Sequence, residues 1–224
     1  MESHEFAVSD YSAIVGPAFN GGRGARSMRR LCLGGSFNPI HTGHVICARF
    51  AAEAAGFDGV RLIPSAGNPH KPDANLASAE LRLSMIQAAV GADPFFTLDP
   101  VETRRGGISY TFDTVSTLID AGEPSPVSWL IGTDLLPKLH TWHRFDELMN
   151  IITFVVMKRA GQAVSFESCD DRVRAICTHV VEVPQIEMSS TLVRNRVAQG
   201  KPIDGLVHPA VEKIIRNSGL YQKK

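Results

Sequence analysis

From Leu31 onward the chain alternates short apolar runs with longer stretches in which apolar residues recur at helical spacing. Leu31-Cys32-Leu33 is the first run, and it ends in Gly34-Gly35, the pattern of a buried strand feeding a tight turn. Val60 to Pro64, Phe95 to Leu98, Val127 to Ile131, Ile151 to Met157 and His179 to Val183 predict the later strands. The runs at Val127 and Ile151 are apolar nearly throughout, as parallel strands covered on both faces require. Helices are predicted at Val45 to Ala55, closed by Gly56, and at Ala79 to Val90, where Leu81, Met85, Ile86 and Ala89 share a face behind the N-cap Ser78. Further helices span Tyr110 to Ala121, stopped by Gly122, and Arg172 to Cys177. Ser190 to Gln199 and Pro209 to Asn217 close the chain, with Gly200 and Gly219 as terminators and Pro209 suited to a first helical position. The alternation predicts an α/β fold: a doubly wound, mostly parallel sheet with helices on both faces and a small helical C-terminal part.

Residues 1–29 break this pattern. They carry Gly16-Pro17, Asn20-Gly21-Gly22 and Arg23-Gly24-Ala25-Arg26 without sustained periodicity, and read as a mobile extension ahead of one domain over residues 30–224. Met28, just before the first strand signal, is a candidate translation start. There is no internal repeat, and 224 residues suffice to bury a sizeable core. The 23 basic and 23 acidic residues cancel, so no global field draws the chain to nucleic acid or to an anionic membrane. A local positive site for a small anion stays open. Cys32, Cys47, Cys169 and Cys177 form no CxxC pair and no zinc-type spacing, which points to reduced thiols and a cytoplasmic location. No apolar run approaches the roughly 20 residues of a membrane span, and no apolar leader opens the chain.

The first chemical signal is Gly34-Gly35-Ser36-Phe37-Asn38-Pro39-Ile40-His41-Thr42-Gly43-His44, after the first strand and opening the first helix. That is the carboxyl edge, where open α/β sheets bind ligands. Gly34 and Gly35 predict close approach of backbone amides to an anion, and the helix N-terminus adds free N–H groups and partial positive charge. His41 and His44, three apart, can face one phosphate. Neither GxGxxG nor GxxxxGK[ST] is present, which disfavours a dinucleotide-dependent oxidoreductase. What remains is a nucleotide site with histidines in place of the usual lysine. A zinc site would need a third ligand, and no cluster supplies one, so no protein-held metal is expected.

The second signal is Met188-Ser189-Ser190-Thr191-Leu192-Val193-Arg194, a helix N-terminus able to cap itself or receive an anion, with Arg194 about one turn in. Together the two motifs resemble the HxGH nucleotidyltransferase superfamily, of Rossmann-like fold. The resemblance implies that His41, His44, Ser190, Thr191 and Arg194 hold the phosphates of ATP, with His41, His44 and Arg194 catalytic. Gly34, Gly35, Ser36 and Phe37 would line the nucleotide. The implied reaction is attack of an acceptor phosphate oxygen on the α-phosphorus of ATP, with loss of pyrophosphate. The acceptor is already an anion, so alignment and charge neutralisation suffice and no covalent intermediate is expected. Magnesium would enter with ATP.

Other stretches bear on the acceptor. Ile63-Pro64-Ser65-Ala66-Gly67-Asn68-Pro69-His70-Lys71 suits a semi-rigid clamp over phosphate. Ser109-Tyr110-Thr111-Phe112-Asp113-Thr114 opens a helix whose free N–H groups could receive a carboxylate. Ile131-Gly132-Thr133-Asp134 ends a strand, a usual place for a carboxylate that hydrogen-bonds a nucleoside. Leu139-His140-Thr141-Trp142-His143 brings a tryptophan to the same edge, able to stack on a flat ring.

In order and spacing these pieces resemble bacterial nicotinate-nucleotide adenylyltransferases, from about Arg30 to Tyr221. The resemblance implies ATP and nicotinate mononucleotide as substrates, in NAD biosynthesis. His70 and Lys71 would contact phosphates. Asn38, Tyr110, Thr111 and Trp142 would meet the acceptor, and Gly132 and Asp134 the nucleotide. Asn38 stands where many members have aspartate, Asn68 replaces a loop proline, and Ile214-Ile215 replaces a tyrosine-isoleucine pair; none touches the implied chemistry. Nicotinamide mononucleotide, phosphopantetheine or a cytidylyl transfer are the enzymatic alternatives, and a non-catalytic nucleotide-binding regulator is the alternative of another class. Homo-oligomer formation is left open.

Overall fold

A computed structural model describes residues 28–67, 76–159, 161, 164, 166 and 170–222. Six strands, β1 (Arg30–Gly35), β2 (Gly59–Pro64), β3 (Phe96–Leu98), β4 (Val127–Gly132), β5 (Ile152–Arg159) and β6 (Cys177–Val183), form one sheet in the order β3-β2-β1-β4-β5-β6. Every pairing is parallel. The chain winds outward from β1 through β2 to β3, returns to β4 beside β1, and winds outward again. The order therefore reverses between β1 and β4, where doubly wound sheets open a crevice at their carboxyl ends. β1 and β4 pair there through Cys32 and Trp129 alone.

Side chains along a strand point alternately to opposite faces, and both faces here are covered. Leu31, Leu130 and Val155 enter one apolar cluster, under α1 (Thr42–Ala54), α2 (Ala79–Val90) and, at the C-terminus, α8 (Pro209–Ser218). Cys32, Trp129, Phe154 and Val156 enter the other, with Phe112 and Val115 of α4 (Thr111–Asp120) and Phe145 and Leu148 of α5 (Phe145–Leu148). Val211 and Ile215 of α8, four apart, are buried against the first cluster, at roughly 1.5–3 kcal/mol each.

The predicted strands and helices all form, with ends shifted by a few residues. α1 begins at Thr42, so Thr42-Gly43-His44 is its first turn. Three short pieces carried no sequence expectation: α3 (Val101–Arg105), a 3₁₀ stretch at Thr133–Thr141 that contains Pro137, and α5. In α2, Met85 and Ile86 are fully buried and Leu81 and Ala89 pack partly buried against the same cluster, while Arg82 and Val90 join the buried face. Arg82 occupies an apolar position because its Nε donates to the Ala77 carbonyl at 3.1 Å and its Nη1 to the Ser36 carbonyl at 2.9 Å. A buried guanidinium is tolerated when carbonyls satisfy it. The remaining helices are α6 (Asp171–Ile176) and α7 (Ser190–Ala198).

Gly34 and Gly35 have a steric role that their sequence context did not suggest. A Cβ on Gly34 would lie 2.7 Å from the Trp129 ring, and one on Gly35 would lie 3.2 Å from the Phe37 ring. The G34A variant is expected to lose about 1–3 kcal/mol of unfolding free energy by urea titration, the usual range for overpacking. In a Trp129→Leu background the same change should cost well under 1 kcal/mol; equal costs in both backgrounds would contradict the ring contact.

Candidate active site

The loop after β1 is held by hydrogen bonds from residues 77–82 and from the last thirty-five residues of the chain. His41 is the N-cap of α1, and the His44 N–H donates to its Nδ1 at 3.3 Å. In return the His41 N–H donates to the His44 Nδ1 at 3.2 Å. The rings stack with centroids 3.6 Å apart, and Phe37, at a left-handed φ of 44°, sets its ring edge-on to His44. A Cβ on Gly43 would come within 3.1 Å of the His41 Nδ1, which explains the glycine between the histidines.

Because each Nδ1 accepts from an amide, the neutral ring carries its proton on Nε2. Burial pulls His41 down to about 4, and burial followed by the nearness of His41 holds His44 well below its ordinary value. Both rings are thus neutral N–H donors at pH 7, and positive charge in the cavity comes from elsewhere. Arg194, Lys158 and Arg159 line the same cavity of ≈ 900 Å³ as the two histidines. Lys158 is paired with Glu182 at 3.0 Å.

Arg194 is drawn to the loop, its Nη1 donating to the Asn38 carbonyl at 2.8 Å and its Nη2 to the Thr191 hydroxyl at 3.2 Å. The sequence motif at the start of α7 therefore reaches the histidine loop across the chain. Ser189, rather than Ser190, caps this helix by accepting from the Leu192 N–H at 3.1 Å. The Ser190 hydroxyl is committed to the Pro39 carbonyl at 2.8 Å. Ser36, Gly132, Asp134, Ser190 and Thr191 all line the large cavity.

Three expectations change. Asn38 does not line either cavity: it is fully buried, and its Oδ1 accepts from the Ala77 N–H at 3.1 Å and the Tyr221 hydroxyl at 2.7 Å. It braces the loop instead of meeting an acceptor, and both bonds use an oxygen that aspartate would also offer. Phe37 is likewise buried behind His44 and lines neither cavity. Gly34 and Gly35 line a second cavity, of ≈ 560 Å³, rather than the first.

That second cavity also takes Tyr110, Thr111 and Trp142. Trp142 stands at 89° to Phe154 with centroids 6.0 Å apart, and Tyr110 packs on His143 at 4.3 Å. Tyr110 makes no side-chain cap to α4, so its own side chain leaves the first N–H groups of that helix unsatisfied. Glu102, 5% exposed, lies in the cavity wall and accepts from the Thr114 hydroxyl at 2.7 Å; burial raises its pKa. His70, Lys71 and Asn68 lie outside the described residues. Lys158, Arg159 and Glu102 were missed by sequence reasoning, and Ser65 was seen only as part of the loop read as a phosphate clamp. The first two end a parallel strand, the position that the strand-end rule marks.

A doubly wound sheet with neutral histidine donors, an arginine and two helix N-termini around a crevice at its switch point defines a nucleotide-binding α/β protein. The comparisons narrow this. Residues 32–196 match the model of the cytidylyltransferase-like family. A probable nicotinate-nucleotide adenylyltransferase from Bacillus pumilus is 37% identical over 84% of this chain and 96% of its own length. The nicotinate-nucleotide adenylyltransferase of Bacillus subtilis is 35% identical over the same shares. Among solved structures, nicotinic acid mononucleotide adenylyltransferase of Plasmodium falciparum complexed with NaAD superposes with a TM-score of 0.64 at 17% identity, covering 86% of this chain and 97% of that one. The fold is shared at that distance. The chain belongs to the nicotinate-nucleotide adenylyltransferases within the cytidylyltransferase-like family.

The depressed imidazoles give a pH signature. Above His41's ordinary value of 6.5 neither folded nor unfolded chain protonates it; between 6.5 and about 4 only the unfolded chain does, so stability falls as pH drops. Urea unfolding at pH 7.5 and 5 should show wild type losing about 2 kcal/mol more than the H41N variant. Equal losses would mean that His41 titrates normally.

Proposed function

We propose that this protein transfers AMP from ATP to nicotinate mononucleotide, giving nicotinate adenine dinucleotide and pyrophosphate in NAD biosynthesis. The observation that carries the reading is the junction of two unlike cavities at the ends of β1 and β2. One holds the histidine pair and Arg194, and the other holds Trp142 and the uncapped N-terminus of α4.

The large cavity suits the triphosphate. The Nε2–H groups of His41 and His44 donate to phosphate oxygens, Arg194 opposes the charge that builds on the leaving group, and the start of α7 adds its N–H dipoles. The smaller cavity suits the pyridine nucleotide, with the ring against Trp142 and the carboxylate on the N–H groups around Thr111. A phosphate oxygen of the acceptor then displaces pyrophosphate in line. Its charge makes a general base unnecessary, and the protein supplies alignment and hydrogen bonds. His70 and Lys71 belong to this proposal as phosphate contacts from the β2 loop, and Asp134 as a partner of the nucleoside.

Magnesium fits as an ion carried on the triphosphate. Among the described residues no group of three His, Cys, Asp or Glu could cage a metal, while Asp134 offers a carboxylate at the cavity wall. Bound with ATP it would neutralise the departing pyrophosphate. A cytoplasmic location belongs to the same proposal, supported by the free thiols of Cys32 and Cys47. No helix among the described residues is long and apolar enough to cross a membrane.

Purified protein given ATP, magnesium and each acceptor in turn should release pyrophosphate with nicotinate mononucleotide. The kcat/KM should exceed that for the amide by about 10- to 100-fold, since a carboxylate gains charge-assisted bonds from backbone donors where an amide presents donors of its own. Equal or better use of the amide, or turnover only with phosphopantetheine, would overturn the acceptor assignment. The H44A variant should lose at least about 100-fold in kcat while its circular dichroism stays native. Retained turnover would reduce the histidine pair to a scaffold.

A further inference from the structure

Among the described residues only Ser36 and Ser65 line both cavities. The Ser36 carbonyl accepts from the Arg82 Nη1 at 2.9 Å. Ser65 directly follows β2, and its N–H donates to the Gly35 carbonyl at 2.9 Å, which fixes it beside the end of β1. It is 8% exposed, and its hydroxyl oxygen is buried without a hydrogen-bond partner. Such a group is destabilising and needs a reason. One other described side-chain atom shares this condition, Arg30 Nη1, and it sits on the first residue of β1, away from the cavities.

The proposed reaction requires an acceptor phosphate oxygen and the α-phosphorus of ATP to come within about 3–3.5 Å. With the triphosphate in one cavity and the pyridine nucleoside in the other, both reacting groups must lie where the cavities meet. A buried, unpartnered hydroxyl at that point is a hydrogen-bond donor waiting for an anion.

We propose that Ser65 binds the acceptor phosphate, donating its hydroxyl hydrogen to a non-bridging oxygen and turning another oxygen towards the α-phosphorus; this rests on the adenylyl-transfer reading above. In the step itself the acceptor oxygen forms a bond to the α-phosphorus. The bond from that phosphorus to the bridging oxygen breaks, and pyrophosphate leaves with the electron pair. Ser65 keeps its proton throughout. The bond satisfies the hydroxyl only in the complex, so its energy is available for alignment rather than for folding.

The test is the Ser65→Ala variant of the full chain, assayed beside wild type with ATP, magnesium and nicotinate mononucleotide. The backbone bond to Gly35 survives the change, so the variant should fold with a Tm equal to or above that of wild type. Its kcat/KM for the acceptor should fall about 10- to 100-fold, the range of one hydrogen bond to an anion, while KM for ATP stays within about twofold. Wild-type kinetics in the variant would overturn the role of Ser65 and leave the adenylyl transfer standing. A lowered Tm with equal losses for both substrates would also overturn it, because the hydroxyl would then be a brace. Absence of pyrophosphate release by wild type itself would sink both readings.

Discussion

Two imidazoles that cap each other's amides hold the site in shape, and most of the surrounding structure follows from that reciprocal pair. Each Nδ1 is fixed as an acceptor by a backbone N–H, so each Nε2 carries the hydrogen and is turned away from the backbone. Stacking at 3.6 Å and burial keep both rings neutral, since two cations so close in a dry site would repel. The result is a pair of oriented donors that need no charge of their own. Charge is left to the cations in the same cavity, Arg194 among them, whose guanidinium cannot lose its proton.

The pair would not hold without support. The Arg82 guanidinium, the Tyr221 hydroxyl and the Ser190 hydroxyl bind the loop through Ser36, Asn38 and Pro39, and Arg194 itself takes the Asn38 carbonyl. These donors come from α2, α7 and the end of the chain. The Thr42 N–H adds a bond to the Leu206 carbonyl at 2.9 Å. The start of α7 is therefore part of the cavity wall, and the chain beyond it braces the loop. Placing this loop at the reversal between β1 and β4 lets two cavities share one edge.

Much of this was legible in the sequence because it rests on local rules. Strands covered on both faces must be apolar throughout, and capped or glycine-stopped helices announce their ends, as Ser78 and Gly122 do. The meeting of His41, His44 and Arg194 was legible only through the paired motifs, since no spacing argument brings residue 194 to residue 41. What stayed hidden depends on long-range contact. Arg82 breaks its helix's apolar face, and charge in a pattern normally marks solvent. Asn38 and Ser190 belong to the motifs, yet their side chains bind the loop; sequence alone does not separate support from contact. The 3₁₀ stretch is masked by Pro137, and Ser65 shows its unpartnered state only in three dimensions.

The account stands on the histidine donors and Arg194 acting on one triphosphate. A crystal structure with a non-hydrolysable ATP analogue tests this most directly. It should place phosphate oxygens within about 3.2 Å of Nε2 of both His41 and His44 and of the Arg194 guanidinium. A triphosphate bound away from these groups, or met by only one of them while the others face solvent, would contradict it.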